Sequence, residues 1–242
     1  MLSLVYSYYE NPEMYLRQVQ EWNNYMGKVK KNLSIYVTDD CSVKFPLRNI
    51  EECPKGLNEF KRYEITAKAN WNWLACRNIG ACYAKGDWIV LTDMDHLISA
   101  VDMGKLMKVL SKNILNERFI YLFERIDAPY NLPYKPHNDS FMMTKRMYWE
   151  IGGYDEELSG NYGTSGRYRA RAFSIADGNE RLKINLTRFP REVIPDASTV
   201  GMVRKGKGRD PNALKGIEDK KKFEGREGQI RILSFPYQEI LR

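Results

Sequence analysis

The chain opens with a short apolar and aromatic run, Leu2 to Tyr8, followed at once by Asn11-Pro12-Glu13. That triplet reads as a helix start. It offers a side chain to cap free amides, a proline whose missing N–H is not needed there, and a carboxylate near the positive helix end. Tyr15, Val19, Trp22 and Met26 then recur at helical spacing until Gly27 closes the pattern. Leu33 to Thr38 predicts a second strand leading directly into Asp39-Asp40, and Arg62 to Thr66 a weaker third. Leu74 to Ala84 predicts a helix that stops near Gly86, and Asp87 to Thr92 a strand that ends at Asp93-Met94-Asp95-His96. A helix near Val101 to Leu115 and strands at Phe119 to Phe123 and Ser140 to Thr144 follow. From Arg204 onward glycine, lysine and arginine dominate, predicting an irregular surface segment until a last strand at Ile230 to Leu233.

Strands alternating with helices predict an α/β chain: a mostly parallel central sheet with helices on both faces. Ligands of such sheets bind outside the carboxyl ends of the strands, where Asp39-Asp40 and Asp93-Met94-Asp95 both stand. Two carboxylates one residue apart at the end of a buried strand can approach one hard divalent cation. His96 comes next in the chain, as a further ligand or as a packed ring.

Composition narrows the class. At 242 residues, 43% hydrophobic and 29% charged, this is an ordinary globular chain, which excludes disorder and a disulfide-stapled miniature. Four cysteines without a C-x-x-C pair fit reduced thiols and a cytoplasmic setting. There is no 18-residue apolar run for a transmembrane segment, and the N-terminus reads as a buried strand rather than a leader. Charge is unevenly placed. Residues 1–160 carry 20 Lys and Arg against 21 Asp and Glu, net −1, and residues 161–242 carry 18 against 10, net +8. The basic last third suits an anionic partner.

Ordered blocks between positions 5 and 156 resemble a glycosyltransferase of the GT-A (Rossmann-like) fold, of the family 2-like type found in phages and bacteria. They are Val5 to Asn11, Tyr36 to Ser42, Asn70-Trp71-Asn72-Trp73, Ala75 to Gly80, Ala84 to Ile89, Thr92 to His96 and Gly152-Gly153-Tyr154-Asp155-Glu156. The resemblance implies a nucleotide-sugar donor, a UDP-sugar first. Tyr6, Tyr8 and Asp39 or Asp40 would hold its nucleoside, Arg77 and Asp93 would lie by its diphosphate, and Asp93 and Asp95 would hold the metal, Mn²⁺ or Mg²⁺, with His96 as a further candidate ligand. It also implies a GT-A domain over residues 1–200, with donor half 1–100 and acceptor half 101–200, followed by a basic segment 201–242.

One departure stands out. The family places a general base shortly after the Gly-Gly-aromatic-Asp block, but no carboxylate stands near Thr164 and Ser165. Glu156, Glu157 and Asp139 are the remaining candidates. For the acceptor, His137 lies in a polar loop, and Arg167, Arg169, Arg171, Arg204, Lys205 and Lys207 form the basic set. Those charges fit duplex DNA, and the resemblance, which leans towards phages, implies a hydroxymethylated base of a phage genome as acceptor, in the host cytoplasm. A cell-envelope saccharide or lipid-linked sugar is the alternative, and a GT-A binding module that has lost catalysis the second. The pattern specifies no oligomeric state.

Overall fold

The computed structural model describes residues 1–69, 71–161, 163–190, 193–194 and 211–241. Strands β1 (Leu2–Tyr8), β2 (Leu33–Asp39), β3 (Glu59–Ile65) and β4 (Trp88–Asp93) form a parallel centre in the order β3-β2-β1-β4. Burial on both faces explains the near-continuous apolar sequence of β1, β2 and β4, since a parallel sheet is covered by helices on each side. Successive side chains alternate between two cores. Leu4 and Tyr6 face one core and Val5 the other.

The first core is closed by α1 (Pro12–Asn24), α2 (Gly27–Lys30) and, after the two-residue strand β5 (His96–Leu97), α4 (Ala100–Ser111). Asn11 caps α1 by accepting from the Met14 amide at 3.1 Å, with Pro12 at the first helical position, as its sequence predicts. The second core is closed by α3 (Trp73–Tyr83), α5 (Lys145–Glu150) and α6 (Ser165–Ile175). Gly80 lets α3 sit directly on β1, for a Cβ there would meet Val5 at 2.4 Å.

The sheet continues past β4 with antiparallel β8 (Phe141–Thr144) and then β6 (Phe119–Asp127), which carries the short β7 (Leu132–Tyr134). Beyond β6 lies parallel β9 (Gly178–Arg188), an eleven-residue strand that the pattern reading omits. Two expectations for the last third are corrected. Pro211–Phe223 is a helix, α7, rather than irregular, because Leu214 and Ile217 give it an apolar face against the second core. Ile230 to Leu233 is not a strand: Leu233 has a left-handed backbone (φ 50°), and its amide is held by Glu156. The last strand is β10 (Tyr237–Glu239), antiparallel to β3 at the sheet edge.

Candidate active site

The parallel registers set Tyr8 opposite Asp39 and Ser7 opposite Asp93, so three strand ends open into one cleft of about 820 Å³. Among its lining residues are Tyr8, Tyr9, Asp40, Cys41, Lys68 and Trp71. Cys41 and Trp71 both hold left-handed backbone (φ 53° each), a conformation costly for residues with side chains and typical of functional loops. Asp40 is buried; one carboxylate oxygen accepts from the Asn72 amide at 2.7 Å, and the other has no partner among the described residues. Burial pushes this carboxyl well above its usual range.

Its neighbour Asp39 is spent differently. It accepts from the amides of Ser42 (2.9 Å) and Leu47 (2.7 Å), pinning the loop after β2, and burial raises it to about 6 against those bonds. Tyr8 lines the cleft, its hydroxyl donating to the Phe45 carbonyl at 2.6 Å. Tyr6 is fully buried against Trp22 at 5.4 Å and does not reach the cleft: it shares a face with Tyr8 but lies one pleat further from the strand end, inside the first core.

Where β4 ends, one oxygen each or one ring nitrogen from Asp93, His96 and His137 lie within 4.8 Å of one another. The two imidazole centroids lie 4.3 Å apart with their planes tilted by 31°. His96 Nδ1 bonds to Asp95 at 2.7 Å, and His137 Nδ1 to the Ser140 hydroxyl at 2.8 Å. His137 Nε2 faces Asp93 at 3.4 Å, and the buried His96 Nε2 has no partner among the described residues. Burial and the adjacent His96 pull His137 down to about 4, so it is a neutral imidazole at neutral pH. Burial alone would raise Asp95, but the His96 ring bonded to it, with His137 and Arg125 nearby, holds it well below the usual carboxylate range.

This differs from the expected pairing of Asp93 with Asp95: Asp95 turns onto His96, and His137, expected at the acceptor, joins the cluster from 41 residues away. The loop is fixed from behind. The buried Gln18 amide of α1 donates to the carbonyls of Met94 (2.9 Å) and His96 (2.7 Å), on either side of Asp95. Nothing in the helical pattern distinguishes Gln18 from its neighbours.

Arg77 is fully buried on α3, stacked over Trp73 at 4.5 Å. It donates to Asp93 at 2.7 Å, to the Asp139 carbonyl at 2.6 Å and to the Tyr154 hydroxyl at 3.0 Å. Its place is therefore behind Asp93 rather than on the cleft wall. Asp139 does line the cleft beside Ser165, the first residue of α6. Burial raises its carboxyl while Arg77 opposes the rise. One oxygen has no hydrogen-bond partner among the described residues, and Arg169 stands 3.8 Å from it.

The other candidates are not brought here. Glu156 is buried and accepts from Asn78, the amides of Leu233 and Ser234, and the Ser234 hydroxyl. Glu157 pairs with Lys221 and Arg226 at 3.0 Å each, which hold it down at about 2. Neither lines the cleft. Arg167 pairs with Glu218, and Arg171 donates to the carbonyls of Ile151 and Gly153. Of that helix's arginines only Arg169 lines the cleft, while Arg204, Lys205 and Lys207 lie outside the described residues. Lys68, Trp71 and Trp73 line the cleft without having been singled out; the two tryptophans lie in one of the recurring sequence blocks.

A family model described as "Glycosyl transferase family 2" matches residues 15–177. No curated protein matches in sequence. The fold is similar to S. aureus TarS 1–349 in complex with UDP-GlcNAc, with a TM-score of 0.63 and 15% identity over 84% of this chain and 61% of that one. It is also similar to the longer S. aureus TarS chain (0.61, 15%, 78% and 36%) and to GalNAc-T7 with UDP, GalNAc and Mn²⁺ (0.62, 14%, 78% and 44%). The chain thus spans roughly a third to three fifths of the length of these solved chains. Among the described residues no helix is long and apolar enough to cross a membrane.

Proposed function

Because the chain belongs to glycosyl transferase family 2 and has its GT-A fold, we propose that the cleft moves a hexose from a UDP-sugar to an acceptor hydroxyl. The observation that carries this reading is the convergence, at the ends of the two strands that flank β1, of a buried Asp40 oxygen with no partner among the described residues and the Asp93, His96 and His137 cluster. Asp40 would accept the ring N–H of the base, with Tyr8 and Trp71 bounding it.

The donor set suits a divalent metal. His96 Nε2 is buried with no partner among the described residues, His137 is neutral, and both Nδ1 atoms are already held by a carboxylate or hydroxyl, which is how ligating histidines are commonly oriented. Two nitrogens and one carboxylate favour Mn²⁺ over Mg²⁺, which takes oxygen ligands. Such an ion supplies positive charge opposite the departing diphosphate. In this reading Asp95 orients His96 and Arg77 orients Asp93.

Asp139 is the proposed base. Its carboxyl stands beside Ser165, in a segment whose own sequence carries no carboxylate, which supports this reading. The acceptor oxygen forms its bond to the anomeric carbon and gives its proton to Asp139. The anomeric carbon–oxygen bond to the diphosphate breaks, its electron pair leaving with UDP.

The acceptor reading shifts with the arginines. With Arg167 and Arg171 engaged in the fold, the described residues favour an envelope saccharide or lipid-linked sugar over a hydroxymethylated DNA base. Incubation with UDP-sugars and Mn²⁺ is expected to release UDP. A protein that binds UDP but never releases it from a UDP-sugar would be the lapsed binding module instead. Retention on duplex DNA that falls steeply with salt would restore the DNA acceptor.

A further inference from the structure

The cleft does not end at Asp139. It runs on under α6, over a floor of Ile120 and Leu122 from β6 and Phe141 and Met143 from β8. These four share one sheet face, since Leu122 pairs with Phe141 and side chains repeat with period two. One turn of α6 explains why there is space above them. Tyr168 fills its interval by stacking on Phe141, with ring centroids 5.9 Å apart and planes at 11°, whereas Ala172, one turn later, leaves a gap. Phe173 stands at the mouth, 44% exposed.

Two guanidiniums edge this slot. Arg169 comes from α6 and Arg181 from β9, where it pairs with Leu122 and so shares its face. Arg181 has no ion pair among the described residues, and Arg169 has only the 3.8 Å approach to Asp139. An apolar slot with cations at its edge is complementary to a molecule that is itself apolar at one end and anionic nearby.

We propose that this slot is the acceptor site and that it takes a hydrocarbon-bearing phosphate: the apolar group between α6 and the floor of β6 and β8, the phosphate at Arg169 and Arg181, and the hydroxyl turned toward Asp139. The assignment rests on reading the main cleft as a donor site for glycosyl transfer. It makes Ala172 a specificity-determining residue, since a larger side chain closes the slot without touching the donor end.

Calorimetric titration with octyl phosphate, in the presence of UDP and Mn²⁺, tests it on the full chain. Octyl phosphate should bind at least tenfold tighter than inorganic phosphate and than the neutral octyl glucoside. Ala172→Leu should weaken octyl phosphate at least tenfold and Arg181→Gln about fivefold, with UDP binding unchanged in both. If UDP binds normally but octyl phosphate does no better than inorganic phosphate, or is unaffected by Ala172→Leu, the proposal falls while the donor reading stands. If a short DNA duplex binds instead and loses affinity in Ala172→Leu, the slot serves nucleic acid and the proposal falls as well. Failure of UDP itself to bind would overturn both readings together.

Discussion

Asp93-Met94-Asp95 and Asp155-Glu156-Glu157 look alike as letters, two short acidic runs, one inside and one at the end of a glycosyltransferase-like block. Their surroundings give them opposite fates. The first run faces the cleft, and its carboxylates meet imidazoles and a guanidinium that leave neighbouring donor atoms open. The second is saturated. Asp155 takes Lys221 and the Arg231 amide, Glu156 takes four donors, and Glu157 takes Lys221 and Arg226. Every one of those partners except Asn78 comes from residues 221–234, so the second run anchors the C-terminal segment to the domain. A carboxylate becomes available for chemistry when the fold leaves part of its hydrogen-bonding capacity unfilled at a cavity, and it becomes structural when the chain fills it.

That contrast can be broken at several points. Asp93→Ala should abolish Mn²⁺ binding and reduce UDP-sugar turnover by at least about 10³-fold, because removing it leaves Arg77 buried and unpaired as well as deleting a donor atom. Equilibrium Mn²⁺ binding alongside turnover checks this, and near-normal metal affinity would mean the cluster is not the metal site. Asp139→Asn should lower kcat by about 10²–10⁴-fold with UDP affinity unchanged, the signature of a lost base rather than a lost binding contact. Gln18→Leu should weaken Mn²⁺ about tenfold while leaving UDP binding without metal untouched, since it frees the carbonyls flanking Asp95 and loosens the loop.

On the anchoring run the expected losses are of stability. Glu156→Gln should cost about 1–3 kcal/mol in denaturant unfolding, because an amide nitrogen then faces backbone N–H donors, with turnover per folded molecule retained. The smallest effect concerns Glu157. Its carboxyl is held near 2 in the fold against an ordinary 4.5, so its contribution is present above about 4.5 and is lost as pH falls toward 2. The fall in Tm over that window should therefore be shallower in Glu157→Gln than in the parent.

Much of the frame was legible in the chain. The runs that became β1, β2 and β4 are apolar on both faces, Asn11-Pro12 marks the start of α1, and Asp93 falls at a strand end as its neighbours suggest. β9 was missed because Asn179, Glu180, Arg181 and Lys183 dominate its composition, although Leu182, Ile184 and Leu186 alternate on its buried face. α7 was missed for a similar reason: its lysines masked the Leu214 and Ile217 spacing. Of the cluster, Asp93 and His96 stand in the strand-end motif that the sequence offers, and His137 alone lies beyond any local signal. His137 meets His96 only because β8, which begins a few residues later, pairs with β4, and no spacing along the chain encodes that.

At the far edge of the sheet, β10 covers β3 with three residues, and Lys61 of β3 pairs with Glu239 across the two strands. A long bare β3 would offer seven residues of unpaired backbone to any other copy in solution. The three-residue strand that replaces it, with Pro236 ahead of it and charge upon it, is a poor template for edge-to-edge polymerisation. Solubility at high concentration is thus tied to the same C-terminal segment that the second acidic run holds down, and Glu156→Gln should raise light scattering on storage before it affects catalysis.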